Sequence, residues 1–383
     1  MDEMTAVLLG LIRSGHASSR ADLVRESGYA RVTVTRRLEK LLTSGLVAEV
    51  GSVQEARGRP TIQLGLNADR GALLGADIGG SHARVAVLNL AGQILQVVDR
   101  DIDINAGPDA ILGMVADQFT RLLQERQLTG ADAWGIGIGL PGPVEQATGQ
   151  VVSPPTMRGW DGADIPRFFA SRFDAPVAVD KDANIMALGE FHALAEPVRD
   201  MLMLKIGMGI GAGIIAHGRI LRGGQGAAGD LGHLPRPGGA RCRCGQEGCA
   251  EATAGGWALA HELRARGFTQ VHSSQDVLTL AQTREAAVLD LLGHAGRRLG
   301  EVLADAIGVL NPSLVIVAGN LAPAGEELIG AIRERIYELS HPLATKKLQI
   351  RLGALGADAG LLGAGRIAAD AAFSGERVAA LVN

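Results

Sequence analysis

The sequence predicts an α/β protein in two parts: a small winged helix-turn-helix head, then a larger body of two similar lobes. Three observations predict it. Residues 5–66 read as three helices and a hairpin, with a basic face on the third helix. A strand, glycine turn, strand pattern at Ala72–Leu88 returns at Met201–Ile215, about 130 residues later. All three cysteines fall in one stretch, Cys242-Arg-Cys244-Gly-Gln-Glu-Gly-Cys249.

The composition fits this division. A chain of 383 residues with 47% apolar side chains has material for several cores. Its 53 glycines are spread through apolar segments, which points to tight turns and close backbone approaches rather than low complexity. A net charge of −4 argues against a protein coated in nucleic acid over its whole surface. The apolar run Ala6–Ile12 follows Asp2 and Glu3, so it reads as an amphipathic helix and not as a secretory signal. No apolar run is long enough to span a bilayer. Clustered cysteines suit a reducing compartment, and the expected location is the cytoplasm.

In the head, a first helix is expected from about Thr5 to Ser14. Ser19-Arg-Ala-Asp22 is a capping-box-like start for a second helix, with Asp where Glu is usual. Ser27-Gly28-Tyr29 makes a turn, and a third helix runs from about Arg31 to Thr43. Val34, Leu38, Leu41 and Leu42 form its apolar stripe. Its other face carries Arg31, Thr33, Thr35, Arg36, Arg37 and Lys40, residue types that contact phosphates and base edges from the major groove. Strands at Leu46–Val50 and Thr61–Leu66 would flank a wing whose Arg59 reaches phosphate or the minor groove. An ordinary three-helix bundle with a solvated basic face is the alternative.

In the body, each lobe opens with a glycine hairpin: Asp77-Ile-Gly79-Gly80-Ser81 in the first and Gly207-Met-Gly209-Ile-Gly211 in the second. Such hairpins let backbone N–H groups approach phosphate, and Asp77 stands where it can orient a metal-bound phosphate. They also form with nothing bound. Val177–Asp180 runs as a strand into the acidic turn Asp180-Lys181-Asp182, with helix expected over Ile185–Ala195. Asp182 is placed either to cap that helix or to act as general base toward a hydroxyl. Further on, Glu285–Val309 and Glu326–Leu339 read as long helices, and Leu314–Ala318 as a buried strand.

The cysteine spacing reads as a metal knuckle. Three thiolates need a fourth ligand, and His233 is the nearest upstream histidine. Thiolate and imidazole favour tetrahedral zinc, and a site with four protein ligands is structural. A metal-free thiol cluster is the alternative. The knuckle would hold Asp230, His233 and Glu251 along one surface, suited with Asp182 to a neutral polyol.

Together these residues resemble the ROK family of repressors, open reading frames and sugar kinases. The residues carrying the resemblance are Asp77–Ser81, Leu140-Pro-Gly-Pro143, Asp180–Asn184, Gly207–Gly213, Gly229–His233, Cys242–Glu251 and Gly353–Gly360. It covers the whole chain and implies the actin-like ATPase (ribonuclease H-like) fold. It implies zinc on His233, Cys242, Cys244 and Cys249, and a sugar on Asp182, Asp230, His233 and Glu251. The resemblance further implies that, if the chain is a kinase, Asp182 would be the catalytic base and Mg²⁺ and ATP would be held at Asp77, Gly79, Gly80, Ser81, Gly207, Gly209 and Gly211. The expected domains are a head over 1–70, a first lobe over 71–190 rejoined by a last helix over 358–383, and a second lobe over 191–357 with the knuckle and a dimerisation surface.

The chain departs from the family pattern where Lys181 replaces the usual Asn, Met208 the usual Thr, Asp230 the usual Glu, and Asn320 the usual Gly after Gly319. The first two weaken phosphoryl transfer more than ligand binding. The expected function is therefore a sugar-responsive transcriptional regulator, a repressor, acting on double-stranded operator DNA as a homodimer or homotetramer. A sugar kinase carrying a DNA-binding head is the second reading.

Overall fold

The structure is a computed structural model and describes residues 3–53, 60–375 and 377–378. The head is α1 (Glu3–Arg13), α2 (Arg20–Ser27), α3 (Arg31–Thr43) and the antiparallel pair β1 (Val47–Val53) and β2 (Thr61–Leu66). Ser19 caps α2 by accepting from the Asp22 N–H at 3.1 Å. The reciprocal arm differs from the expected capping box: the Asp22 carboxylate accepts from Ser18 N at 3.3 Å and Ser19 Oγ at 2.7 Å. Gly28 ends α2 in the left-handed region, φ 69°, where its N–H reaches the Val24 carbonyl. Val34, Leu38 and Leu41 of α3 are buried against Leu8, Leu9 and Leu23.

The body contains two five-stranded sheets of the same order. The first is β3 (Ala72–Ile78), β4 (His82–Asn89), β5 (Ile94–Asp101), β6 (Ala133–Leu140) and β7 (Val177–Lys181), arranged β5-β4-β3-β6-β7. The second is β8 (Met201–Ile206), β9 (Ile210–Ala216), β10 (Arg219–Ile220), β11 (Leu314–Ala318) and β12 (Gln349–Leu352), arranged β10-β9-β8-β11-β12. In each, three strands form an antiparallel meander and two more add in parallel through helical crossovers. The sequence repeat is thus a repeat of topology. Asp77 and Lys205 are the next-to-last residues of the two central strands, β3 and β8.

The helices are α4 (Pro108–Glu125), α5 (Ile165–Ala170), α6 (Asp182–His192), α7 (Glu251–Ala254), α8 (Gly256–Ala265), α9 (Ser274–Gln282), α10 (Ala286–Leu310), α11 (Glu326–Leu339), α12 (Pro342–Thr345) and α13 (Asp358–Ala372). Helices α6 and α13 pack tightly on each other and lie between the sheets. Ile185, Ala187, Ala359 and Ala364 share a core with Met201, Met203 and Ile316 of the second sheet, while Gly137 of β6 is close enough to α13 that a Cβ would strike the Ala364 carbonyl. Gly363 of α13 similarly leaves room for the Ile185 carbonyl of α6. Such close backbone packing accounts for part of the glycine abundance, and turns with positive φ for another part.

Two boundaries differ from expectation. Helix α6 begins at Asp182, so Asp182 is the first helical residue and Lys181 takes the cap position without a side-chain cap bond. The expected last helix is not continuous: α13 stops at Ala372, Phe373-Ser374 interrupts it, and residues 375 and 377–378 are helical again; residues 379–383 lie outside the described residues. Among the described residues, no helix is long and apolar enough to cross a membrane.

Candidate functional site

The end of β7 and the start of α6 face the end of β8, and charged groups converge there. Asp180 is buried and fully engaged. Its Oδ1 accepts from Asn184 Nδ2 at 2.6 Å and Lys181 N at 2.8 Å, and its Oδ2 from Arg222 Nε at 2.7 Å. Lys181 donates its ammonium to the Ala228 carbonyl; burial lowers its pKa, opposed by Asp230, Asp180 and Asp182. Asp182 Oδ1 accepts from the Ala183 N–H at 2.6 Å, and Oδ2 is ion-paired with Lys205 Nζ.

Asp77 completes this group. Desolvation pushes its carboxyl up to about 6, with Asp182 adding to the shift and Lys205 opposing it. For Lys205, burial pushes the pKa down, but Asp182 and Asp77 outweigh it and the net shift is upward. Asp77, Asp182 and Lys205 therefore form one electrostatic unit spanning the two lobes. The turn residues Gly79, Gly80 and Ser81 sit at the outer end of β3, with Gly80 and Ser81 exposed. Lys205 was missed in reading the sequence. The available signals were a lone charge in the apolar strand Met201–Ile206 and the match of Asp77-Ile-Gly with Lys205-Ile-Gly in the repeat.

Glu251, at the start of α7, is buried and turned inward. Its Oε2 accepts from Ile210 N at 2.9 Å, and its Oε1 from Trp257 Nε1 at 3.2 Å and Arg243 Nη2 at 3.4 Å. A Cβ at Gly209 would meet the Glu251 carboxylate at 2.5 Å, so glycine there permits the grip on the turn Gly207–Gly211. Asp230 is exposed at the start of a short 3-10 turn, Leu231–His233, and makes no side-chain cap bond.

His233, Cys242, Cys244 and Cys249 offer ligand atoms that all lie within 4.8 Å of one another. Cys244 Sγ and Cys249 Sγ are 3.7 Å apart, as are Cys242 Sγ and His233 Nδ1. A disulfide needs about 2.05 Å, whereas a tetrahedral metal with bonds of about 2.3 Å to sulfur has edges of about 3.8 Å. The donor set fits such an ion. Burial, then the neighbouring thiols, pushes Cys249 up to about 12; a bound cation reverses that cost by holding the thiolate. Cys249 and Glu251 are two residues apart, so the cluster and the Glu251 grip on the β8–β9 turn are one local unit.

On the head, Arg31 and Arg36 are exposed on α3, while Thr33, Thr35 and Arg37 are half-buried along it. Arg59 lies outside the described residues. The head is not isolated: Leu8, Leu9, Leu38 and Leu46 share a core with Leu73, Leu88, Trp134, Leu361 and Ala372 of the body.

The family model described as ROK family matches residues 73–371. A glucokinase of Halalkalibacterium halodurans is 31% identical over 309 residues, covering 76% of this chain and 93% of that protein. A xylose repressor of Bacillus subtilis is 26% identical over 366 residues, covering 95% and 94%. Among solved structures, a ROK family transcriptional regulator, homolog of the E. coli MLC protein, superposes with a TM-score of 0.84 at 27% identity, covering 99% of this chain and 98% of that one.

Proposed function

This chain belongs to the ROK family, and we propose that within it the protein is a cytoplasmic transcriptional repressor of carbohydrate-metabolism genes. The effector is a sugar or sugar derivative held between the lobes. The observation that carries this reading is coverage: the regulator structure matches the head as well as the body, whereas the family model begins at residue 73, beyond the head. The kinase fold needs no such head, and the head has the order helix, helix, helix, hairpin of a winged helix-turn-helix.

In this reading α3 enters the major groove with Arg31, Thr33, Thr35, Arg36 and Arg37, and Arg59 extends from the wing. Zinc on His233, Cys242, Cys244 and Cys249 holds the stretch that presents Asp230 and Glu251. Asp182, Asp230 and His233 take sugar hydroxyls, and Glu251 contributes by fixing the β8–β9 turn beside them. Paired copies of the chain, as a homodimer or homotetramer, bind half-sites about one helical turn or a multiple of it apart. Footprinting of the region upstream of its own operon tests the reading. Protected half-sites that a sugar releases are expected; no protection even at low salt would overturn it.

A second reading is favoured by the 31% identity to a glucokinase: an ATP-dependent sugar kinase with Asp182 as base. Asp77, Gly79, Gly80, Ser81, Gly207, Gly209 and Gly211 would hold Mg²⁺ and ATP. The ion pair that Asp182 makes with Lys205 opposes it, because it engages a carboxylate oxygen that a general base would turn toward the substrate hydroxyl. A coupled ADP-release assay over a panel of hexoses decides between them. Turnover abolished by Asp182→Asn would establish the kinase.

A further inference from the structure

Helix α3 turns one stripe, Val34, Leu38 and Leu41, into the core of the head. The opposite stripe, at i, i+4, i+7 and i+11, is Val32, Arg36, Glu39 and Thr43, and all four are exposed. Three of them are polar. The one at the N-terminal end is not: Val32 is 81% exposed, more than any other large apolar side chain among the described residues of the head. Single exposed apolar residues are common on protein surfaces, so exposure alone assigns nothing. Position does. A β-branched residue is a weak helix former, and Val32 gains no burial in return. It heads the outward stripe, flanked by the exposed side chains of Arg31 and Arg36.

The start of α3 is also open to a partner. Ala30, in the cap position, offers no side-chain acceptor to the first-turn N–H groups, whereas Ser19 caps α2. The first turn carries no acidic residue. Donors left in this way suit a DNA phosphate. A phosphate there seats the first turn against the backbone, and that end of a recognition helix is the one that reads bases.

We propose that Val32 is a base-reading residue whose methyl groups contact the 5-methyl group of one thymine in each operator half-site. The inference rests on the operator-binding reading and adds an apolar contact to its polar ones. The C5-methyl group marks thymine in the major groove, and an apolar side chain is its complement. Arg36 lies one turn further along the same stripe, about 6 Å by helical rise. That distance spans about two base pairs. A guanidinium reads guanine, so the contacted thymine stands within about two base pairs of a guanine that Arg36 reads.

The test uses the full chain. Duplexes that the wild type selects from a random pool supply the half-site. Each thymine of one half-site is replaced in turn by deoxyuridine, which removes only the methyl group, and affinity is measured by fluorescence anisotropy at fixed salt. At one thymine the wild type is expected to lose about fourfold, the value of one buried methyl group. Val32→Ala should bind the thymine duplex about as weakly as the wild type binds the uracil duplex, without distinguishing the two. Val32→Ile should restore the distinction. Affinity for unselected DNA should be the same in all three proteins, because phosphate contacts are untouched. Val32 lies outside the core, so Val32→Ala should unfold at no lower temperature than the wild type. A selected half-site with no thymine whose replacement depends on Val32 would overturn the inference and leave the regulator reading standing. So would equal losses by Val32→Ala on selected and unselected DNA. A pool that yields no preferred sequence would overturn both.

Discussion

Arg13 Nη2 of α1 donates to Asp370 Oδ1 in the last turn of α13 at 2.6 Å, and its guanidinium stands 5.2 Å from the centre of the Phe373 ring. The same α13 packs along α6, whose first residue is Asp182. One helix therefore touches both the head and the helix that begins at the cleft. At the far end of α6, Glu190 accepts from the N–H groups of Ala354 and Leu355 at 3.0 Å each, tying α6 to the approach to α13. These contacts form a contiguous route by which a ligand at Asp182 can bias the seat of the head, provided it binds one arrangement better than another.

Breaking the Arg13–Asp370 contact tests that route. The pair is partly exposed, so Asp370→Ala should cost only about 0–1 kcal/mol of stability. Operator affinity without sugar should stay close to that of the wild type, while the change in affinity on adding sugar shrinks. Fluorescence anisotropy on an operator duplex measures both. An unchanged sugar response would remove Arg13 from the route.

The thiolate cluster should carry one zinc per chain by elemental analysis. Chelation, or Cys244→Ser, is expected to loosen the stretch from His233 to Glu251 and abolish the sugar response before DNA binding is lost, because the head and the cluster are built from separate segments. Simultaneous loss of the two activities would contradict this.

Glu251 should act through its hydrogen bonds rather than its charge alone. Glu251→Ala leaves the Ile210 N–H and Trp257 Nε1 without their acceptor, at a cost of about 2–4 kcal/mol. Glu251→Gln keeps one acceptor oxygen and should lose less than half of that. Urea unfolding midpoints of the two variants check the order.

Asp77 makes stability depend on pH in a defined direction. Its folded pKa is raised from the ordinary 3.8 to about 6. Between these values the folded state binds more protons than the unfolded state, so this group's contribution falls as pH rises through that window. Asp77→Asn removes the cost of ionising it. The stability of the variant relative to wild type should therefore climb from about pH 4 to about pH 6 and level off above it. Taking the difference cancels the pH dependence of the thiolate cluster. A flat or opposite trend would show that Asp77 is not ionised against burial.

Much of the fold was legible because local signals and burial agree. The apolar stripe Val34, Leu38, Leu41 fixes α3, and the five-residue apolar run Leu314–Ala318 is a fully buried strand. The repeated glycine hairpins correspond to two sheets of one topology. The four metal-ligand candidates also meet, since three of them lie within one turn-rich loop. Charged residues whose partners lie across the cleft were not legible. The pairs Lys205–Asp182 and Arg222–Asp180 join segments of the two lobes that lie far apart in sequence, and no periodicity within a strand announces such a partner. Glu251 is expected to meet ligand; that its oxygens also accept from Ile210, Trp257 and Arg243, a consequence of how α7 sits under the β8–β9 turn, was not legible. The end of α13 was overestimated because its Ala-rich pattern runs past Ala372, although Ser374-Gly375 is itself a stop signal.

The central claim is that one chain couples a sugar in the cleft to the grip of the head on DNA. The most direct measurement is the affinity of the full-length protein for its operator duplex across a panel of sugars and sugar phosphates, at fixed salt, beside Asp182→Asn. At least one compound should change the wild-type affinity by roughly 5–150-fold and leave Asp182→Asn nearly unaffected. An operator affinity indifferent to every compound, or a response that survives intact in Asp182→Asn, would contradict the account.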